Sequence, residues 1–251
     1  MSKKPLKTCL TIAGSDPSGW AGLQSDLMTF AALGVRGVSA IAALTAQNRV
    51  KVKATLNVLP QFLIKQIETL LEESKIDAVK IGMTGGAGNV TALIRLFKRR
   101  RFKNIVLDPV MRSTSGKALL DKKGVAEIKR LLSLVTIVTP NLAEAEALSG
   151  VKIKDIRGMD EAARKIHSLG ARFVLVKGGH LQGAPIDALF DGKGFYYFKG
   201  RRIKAGRAEL HGTGCVLSAA IAVGLAKGLS VRPAVKRAKA FVGEVIEKRR
   251  L

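Results

Sequence analysis

The 251-residue sequence predicts an α/β fold in which a central, mostly parallel sheet lies between two layers of helices. Short apolar segments alternate with amphipathic segments along most of the chain, as expected for parallel strands joined by crossover helices. Residues 187–203 depart from this alternation, because Asp-Gly and Lys-Gly turns there indicate a small antiparallel strand pair. No linker or repeat interrupts the pattern, so we expect one domain over residues 1–251.

The predicted strands are short and apolar, and most end in a polar or glycine-rich turn. They cover residues 9–15, 38–46, 78–83, 104–110, 136–141 and 173–179. The first, CLTIAGS, shows the pattern: it is apolar until it reaches Gly14 and Ser15. Because ligands of such sheets bind beyond the carboxyl ends of the strands, we expect the functional site at this edge.

The predicted helices are recognised by apolar residues at helical spacing and by residues that stop a helix. They cover residues 22–34, 61–74, 89–100, 123–133, 142–150 and 159–170, one helix within 211–228, and 232–249. In the first, Leu23, Leu27 and Phe30 share one face and Gly34 ends the helix.

The composition restricts the function. Lys and Arg number 43 against 19 Asp and Glu, a formal charge of +24 that attracts anions of every kind. Aromatic residues are only 5% and do not interleave with the basic clusters, so phosphorylated substrates are favoured over nucleic acid. No apolar run approaches the roughly 20 residues of a membrane span. Two cysteines, Cys9 and Cys215, are too few for a disulfide framework, and we expect a cytoplasmic protein.

The motif GTGC, residues 212–215, stands at the start of an apolar helix. Glycines there free backbone amides that can hold a phosphate, and a cysteine in the first helical turn gains thiolate character, so Cys215 could act as a base. The alternative is a simple turn that caps the helix, with Thr213 as the cap and Cys215 as a structural thiol. The four residues alone do not decide between these interpretations.

Carboxylates follow two of the strands. Asp108 and Glu144 are suited to Mg²⁺, which shields phosphate charge from an attacking oxygen. For Glu144 the alternative is an exposed charge in the first turn of a helix, an interpretation that fits Glu146 better. Lys177 ends an apolar strand, where its cation could contact a nucleotide phosphate.

Asp26 and Gln47 are a carboxylate and an amide near two other strand ends. Such a pair can match the donor and acceptor edge of a heteroaromatic ring, although a polar turn explains them equally well. His180 and His211 show no metal-ligand spacing, and both are interpreted as loop residues.

Taken together, these segments resemble a known family. TIAGSDPSGWAGLQSDLMTFAALGV, ALTAQN, KIGM, LDPVM, TPNLAEAEAL, LVKGGH and HGTGCVLSAAIAVGLAKG occur in the order found in hydroxymethylpyrimidine (phosphate) kinases of thiamin biosynthesis. The resemblance spans nearly the whole chain. Its most specific parts are the first segment and the cysteine after Gly-Thr-Gly, where the wider ribokinase-like superfamily usually has an aspartate base.

The resemblance implies a ribokinase-like three-layer α/β/α fold, a kinase that uses ATP and Mg²⁺, and a homodimer. The acceptor would be 4-amino-5-hydroxymethyl-2-methylpyrimidine and then its monophosphate. By motif, Gly14, Asp26 and Gln47 would contact the aminopyrimidine, and Met83 and Val110 would line its pocket.

The remaining implied roles concern phosphoryl transfer. Cys215 would help deprotonate the hydroxymethyl group, and its backbone would complete an anion hole. The other residues are Gly212 and Gly214 for the anion hole, Asp108 and Glu144 for Mg²⁺ and its waters, and Lys177 and Thr213 for the nucleotide.

Three departures from the family pattern bear on substrate and ATP binding. Trp20 stands where the family usually has glycine, so its ring could cover the substrate or narrow the choice of ring. Thr114 takes the place of a lysine, for which Arg112 could substitute. GRAELH, residues 206–211, replaces a segment with the usual nucleotide contacts.

Two other functions stay open on the sequence. Pyridoxal kinase activity, alone or beside pyrimidine phosphorylation, fits because both acceptors are small heteroaromatic rings with a hydroxymethyl arm. The second is a non-catalytic pyrimidine sensor whose basic surface contacts nucleic acid. The sequence offers no appended DNA-binding module to support it.

Overall fold

The computed structural model describes residues 6–113, 116–179, 185–200 and 207–249. Within these residues, nine strands form one sheet. The strands are β1 (Thr8–Ser15), β2 (Arg36–Gln47), β3 (Val52–Asn57), β4 (Ala78–Ile81), β5 (Ile105–Leu107), β6 (Ile137–Val138), β7 (Phe173–Gly178), β8 (Ile186–Phe190) and β9 (Phe195–Lys199).

Helices cover both faces of this sheet. They are α1 (Gly22–Ala32), α2 (Pro60–Glu73), α3 (Ala87–Arg99), α4 (Lys122–Leu131), α5 (Leu142–Ser149), α6 (Ile156–Ser168), α7 (Arg207–Leu210), α8 (Thr213–Ala226) and α9 (Val231–Arg249), with a 3₁₀ turn at Leu132–Leu134. Among the described residues, no helix is both long and apolar enough to span a membrane.

The strand order is β3-β2-β1-β4-β5-β6-β7-β8-β9. From β2 to β7 all neighbours are parallel, whereas β3 at one edge and β8 and β9 at the other pair antiparallel. The predicted fold class is therefore confirmed. The antiparallel pair also continues the main sheet, because β8 pairs with β7 through partners such as Val174 and Phe190.

Strand β3 is absent from the sequence-based prediction. Five of its six residues are exposed, so its sequence VKATLN carries neither an apolar run nor a clear alternation. Only its pairing with β2 reveals it as a strand.

The sheet separates two apolar cores, as a three-layer fold requires. Leu10 and Ile12 of β1 face the core beneath α2, α3, α4 and α6, while Cys9, directly before Leu10, faces the core beneath α1, α8 and α9. Helix α8 is apolar on every side and lies buried from Val216 to Ala226. Helices α1 and α8 pack on the same face of the sheet. Both begin at the edge where the parallel strands end, because Gly22 and Thr213 line the cavity there.

Candidate active site

A cavity of about 2180 Å³ lies at the carboxyl ends of the parallel strands. The strand ends, the start of α8, strands β8 and β9 and helix α9 all contribute to its wall. Of the predicted site residues, those that line it are Gly14, Gln47, Met83, Asp108, Val110, Glu144, Lys177, Gly212, Thr213, Gly214 and Cys215. The structure therefore brings together every predicted site residue except Asp26.

The turn before α8 has the geometry of an anion hole. Gly212 adopts a left-handed conformation with φ of 75°, and a Cβ atom there would lie 1.8 Å from the carbonyl oxygen of Trp20, so only glycine fits. At Gly214 a Cβ atom would lie 3.3 Å from Lys177 Nζ. The first amides of α8, which have no partner within the helix, thus open beside a cation.

The alternative interpretation, in which Thr213 caps the helix, is wrong. The residue in the N-cap position is Gly212, and Thr213 is the first helical residue. Its hydroxyl donates a hydrogen bond to the carbonyl oxygen of Leu210, 2.9 Å away, and so ties the helix to the preceding turn.

Cys215 is partly exposed to the cavity, and the backbone amide of Gly22, the first residue of α1, donates to its thiol. Burial raises the pKa of Cys215 to about 11, against the opposing effect of the Lys80 ammonium, and Asp26 and Asp108 raise it further. Burial therefore opposes the thiolate character that a helix N-terminus favours.

Asp108 and Lys177 form an ion pair in which Nζ lies 2.8 Å from Oδ1. The Ser218 hydroxyl, one turn into α8, lies 3.4 Å from the other carboxylate oxygen of Asp108. The pair links the end of β5 to the end of β7 and faces the cavity next to the anion hole.

Glu144 is buried, so its interpretation as an exposed charge is wrong. It forms a reciprocal cap with Asn141: Asn141 Oδ1 accepts from the Glu144 amide at 2.9 Å, and Glu144 Oε2 accepts from the Asn141 amide at 2.8 Å. Burial raises the pKa of Glu144 to about 7, opposed by Lys177 and reinforced by Asp108. Glu146 is the surface carboxylate, as expected, and accepts hydrogen bonds from Lys152 and Ile153.

The chemistry of Asp108 and Glu144 fits a nucleotide-bound Mg²⁺. Both carboxylates are buried at the cavity wall, where burial, and to a smaller extent Asp108, raises the pKa of Glu144, so a cation there would favour the charged form. The described residues contain no group of three His, Cys, Asp or Glu side chains that could hold a metal ion. Mg²⁺ usually takes one or two carboxylates and completes its shell with water and phosphate, so two carboxylates suffice.

The other side of the cavity is narrow and apolar. A Cβ atom on Gly14 would lie 2.9 Å from the Met83 sulfur, so a glycine is needed for the chain to pass this wall. Val110 continues the wall, and Gln47 supplies an amide whose oxygen accepts from Thr45 at 3.1 Å. This side suits a flat ring with polar substituents.

Asp26 does not reach the cavity, and its predicted contact with the ring is corrected. Its carboxylate is fully buried, where Oδ2 accepts from Lys80 Nζ at 2.7 Å and from the Thr11 hydroxyl at 2.6 Å. Lys80 lies between Asp26 and the cavity and lines the cavity itself. The signal for Lys80 was present in the sequence, because a lysine inside the apolar strand AVKI requires a buried partner.

Trp20 does not line the cavity either. Its ring lies between two guanidinium groups, with the Arg49 carbon 3.8 Å and the Arg249 carbon 4.6 Å from the ring centre. Arg249, at the end of α9, also donates to the carbonyl oxygen of His211 at 2.7 Å. The ring therefore packs between Arg49 and Arg249, away from the residues that line the cavity.

The other departures are only partly described. Thr114, His180 and residue 206 lie outside the described residues. Arg112 does line the cavity, and its guanidinium donates to the carbonyl oxygen of Gly116. His211 is buried, with Nε2 3.8 Å from Asp16 Oδ2.

Basic residues of α9 form a part of the cavity that the sequence analysis did not single out. Arg232 lies over the Tyr196 ring at 4.3 Å, Lys239 pairs with Asp187, and Lys236 lines the same wall. In sequence these cations look like the solvated face of an amphipathic helix, so no local signal distinguishes them.

Comparison with known proteins decides the family. The model of the phosphomethylpyrimidine kinase family matches residues 16–250. The chain belongs to the phosphomethylpyrimidine kinase family. A hydroxymethylpyrimidine/phosphomethylpyrimidine kinase of Aquifex aeolicus is 42% identical over 95% of this chain and 93% of its own length.

Two further proteins are similar to this chain over nearly its whole length. A thiamine biosynthesis bifunctional protein of Geobacter sulfurreducens is 43% identical over 96% of this chain, which spans only 49% of that protein. The structure of a pyridoxal kinase from Staphylococcus aureus in complex with AMP-PCP and pyridoxal is 35% identical, covers 97% of this chain and 89% of its own, and has a TM-score of 0.86.

Proposed function

We propose that this protein transfers the γ-phosphoryl group of ATP to 4-amino-5-hydroxymethyl-2-methylpyrimidine, and then to its monophosphate, as a kinase of thiamine biosynthesis. The observation that carries the proposal is the meeting of Cys215, Lys177, Asp108 and Glu144 around the start of α8 in one cavity. The relative from Aquifex aeolicus, which is named a hydroxymethylpyrimidine/phosphomethylpyrimidine kinase and of which this chain covers 93%, supports the choice of acceptor.

In this reaction the acceptor ring lies against Gly14, Met83 and Val110, with its hydroxymethyl arm towards Cys215. The Cys215 thiol first loses its own proton to water, and the hydroxyl then gives its proton to the resulting thiolate. The oxygen forms a bond to the γ-phosphorus while the bond from that phosphorus to the bridging oxygen breaks, and ADP leaves. The amides of residues 212–215 hold the transferring group, and Lys177 neutralises its charge.

The proposal includes Mg²⁺ bound at Asp108 and Glu144. When bound, the ion shields the phosphate charge and orients the leaving oxygens. The two carboxylates fix its place beside the anion hole. Lys177, which is paired with Asp108, then becomes available to the nucleotide phosphates.

We also propose a homodimer and a cytoplasmic location. Strand β3 is an exposed edge, and large apolar side chains stay exposed on and beside it: Leu44, its cross-strand partner Leu56, Leu59 and Phe62. Such a face suits a second copy of the chain. Both cysteines are free, which fits a reducing compartment.

The test is detection of phosphorylated products by mass. The purified protein is incubated with ATP and Mg²⁺ and with the aminopyrimidine, its monophosphate or pyridoxal. We expect mono- and diphosphate from the pyrimidine. Cys215→Ala should lower kcat by about 10²- to 10⁴-fold, the range for a general base. Cys9→Ala, which removes the other thiol, buried in β1 and not part of the cavity wall, is the matched control and should keep full activity.

Pyridoxal kinase activity is the second candidate, and the likeness to the pyridoxal-bound Staphylococcus aureus structure favours it. Turnover of pyridoxal without turnover of the pyrimidine would replace our proposal. Tight pyrimidine binding with no ATP consumed, and a ligand-dependent shift of DNA, would instead indicate a sensor.

A further inference from the structure

Lys80 is a buried cation that the proposed reaction leaves without a role. It lies in the middle of β4, and neither it nor Asp26 has any exposed side-chain surface. A buried ion pair is on average no more stabilising than an apolar pair of the same size. Stability alone therefore does not explain why a lysine occupies this position.

The geometry fixes where the ammonium points. One N–H donates to Asp26 Oδ2, which the Thr11 hydroxyl holds from the other side. No other hydrogen-bond acceptor for Nζ exists within the described residues, and the side chain forms part of the cavity wall. Gly82 leaves room for this arrangement, because a Cβ atom there would lie 2.7 Å from Nζ.

Cys215 is the reactive group on which this ammonium acts. Helix α8 packs on β4, and the charge of Lys80 is the largest influence that opposes the raised pKa of the Cys215 thiol. The influence is mutual, because a negative charge on Cys215 in turn favours the charged form of Lys80. The charged or titratable groups that act on or lie near Cys215 from its neighbours are Lys80, Asp26, Asp108, Lys177, His211 and Arg249.

Among the cations in this set, Lys80 is set apart by its fixed position. Lys177 is committed to Asp108 and to the nucleotide side, and Arg249 is committed to the Trp20 ring and the His211 carbonyl oxygen. Asp26 holds the Lys80 ammonium in one place, so its charge is fixed at the cavity wall before any substrate arrives.

We propose that the Lys80 ammonium, held in place by Asp26, stabilises the Cys215 thiolate that accepts the proton of the substrate hydroxyl. The proposal rests on the proposed function for the identity of that substrate. Lys80 is a positioning residue here, because it acts on the reaction through Cys215, and Asp26 positions Lys80 in turn.

The test measures the thiolate directly, without substrate. Alkylation of Cys215 by iodoacetamide is followed against pH in a Cys9→Ala background, since only the thiolate reacts. For Lys80→Met we expect a rate at least about 10-fold lower at pH 8 and a profile displaced to higher pH. Lys80→Arg should recover most of the rate, and Lys65→Met, at an exposed position on α2, should match the parent.

Activity supplies the second readout. Lys80→Met should lower kcat at pH 7.5 by about 10- to 100-fold, with KM for ATP unchanged and partial recovery as the pH rises. If Lys80→Met does not fold, Lys80→Gln, which removes the charge but keeps a hydrogen-bond donor for Asp26, takes its place in both assays. An alkylation profile equal to that of the parent, in whichever of the two folds, would overturn the proposal.

The two readouts separate this inference from the proposed function. If the parent phosphorylates none of the three acceptors but the alkylation profile moves as expected, the assigned substrate is wrong and the role of Lys80 stands. If the parent is active and neither readout changes in Lys80→Met, the kinase assignment stands and Lys80 has no part in it.

Discussion

Two lysine–aspartate pairs flank the anion hole, and they differ in how far water reaches them. In the Lys80–Asp26 pair both side chains are fully buried, whereas in the Lys177–Asp108 pair the lysine side chain is 15% exposed and the aspartate 3%. The two pairs have nearly the same length, 2.7 Å and 2.8 Å. The N–O distance therefore does not distinguish the two pairs, whereas their exposure to water does.

The difference in surroundings assigns different tasks. The fully buried Lys80–Asp26 pair exchanges partners only at a large cost in free energy, because either charge left alone would be buried without compensation. Lys80 is thus a permanent charge beneath Cys215. The pair at the cavity wall can exchange partners, since a phosphate can replace Asp108 at Lys177 and a cation can replace Lys177 at Asp108. The Lys80–Asp26 pair is therefore a fixed part of the fold, whereas the Lys177–Asp108 pair can be replaced by contacts with ligands.

The largest expected effect comes from breaking the Lys80–Asp26 ion pair. Asp26→Asn keeps the shape of the side chain and leaves the Lys80 ammonium uncompensated, so we expect the free energy of unfolding to fall by about 3–5 kcal/mol. Urea denaturation measures it. Asp108→Asn, the same substitution in the Lys177–Asp108 pair, should cost less, because the Lys177 side chain left behind is 15% exposed to water. Equal losses for the two variants would remove the distinction between the pairs.

The double variant Asp26→Leu/Lys80→Met separates stability from function. Because it replaces both charges by apolar groups of similar volume, most of the lost stability should return. Activity should not return, since Cys215 would lack its cation. A stable and fully active double variant would mean that the pair only fills space.

At the Lys177–Asp108 pair we expect the opposite balance, with a large loss of activity and a small loss of stability. Lys177→Met should lower kcat/KM for ATP by about 10²- to 10³-fold, the loss typical of one preorganised charge contact to a transition state. Its free energy of unfolding should change by no more than about 1–2 kcal/mol. Lys236→Met, which also removes a cation from the cavity wall but lies away from Gly214, is the control and should change kcat/KM by less than about 10-fold.

The sequence predicted most of the fold because its signals are local. The alternation of apolar strands and amphipathic helices identified β1 and α1, and the glycines at strand ends placed the site at the correct edge. Strand β3 was missed because its side chains are exposed, so that only pairing with β2 defines it. Cross-strand pairing is a long-range property, and a single segment does not encode it.

Within the site, the sequence identified reactive residues better than it identified their surroundings. Cys215, Asp108 and Lys177 were placed correctly at the cavity, since each follows a strand or begins a helix. Asp26 was misassigned because the residue that hides it, Lys80, is 54 positions away in the chain. The upward pKa shift of Cys215 was missed for the same reason. The helix start was visible in the sequence, and the burial that raises the pKa was not.

A smaller effect is expected at Glu144, where burial holds the pKa near 7 against 4.5 for the unfolded chain. Between these values the folded protein keeps a proton that the unfolded chain has lost, so stability falls as the pH rises through this window. In metal-free protein, Glu144→Gln should therefore add about 1–3 kcal/mol above pH 7 and change little below pH 4.5. Glu146→Gln, on the surface of the same helix, should show no such gain.

The smallest expected effect concerns the turn before α8, which Arg249 contacts. Arg249 fixes the carbonyl oxygen of His211, directly before Gly212, and stacks on Trp20, whose own carbonyl oxygen packs against Gly212. Arg249→Ala should loosen this turn and lower kcat/KM for ATP by about 3- to 10-fold, or roughly 1 kcal/mol, the scale of one hydrogen bond. Lys248→Ala, one residue earlier on α9, should have no effect, so equal losses in the two variants would reflect fraying of the helix end. A loss confined to Arg249→Ala would show that the anion hole is braced from outside the cavity, by a contact that neither ion pair supplies.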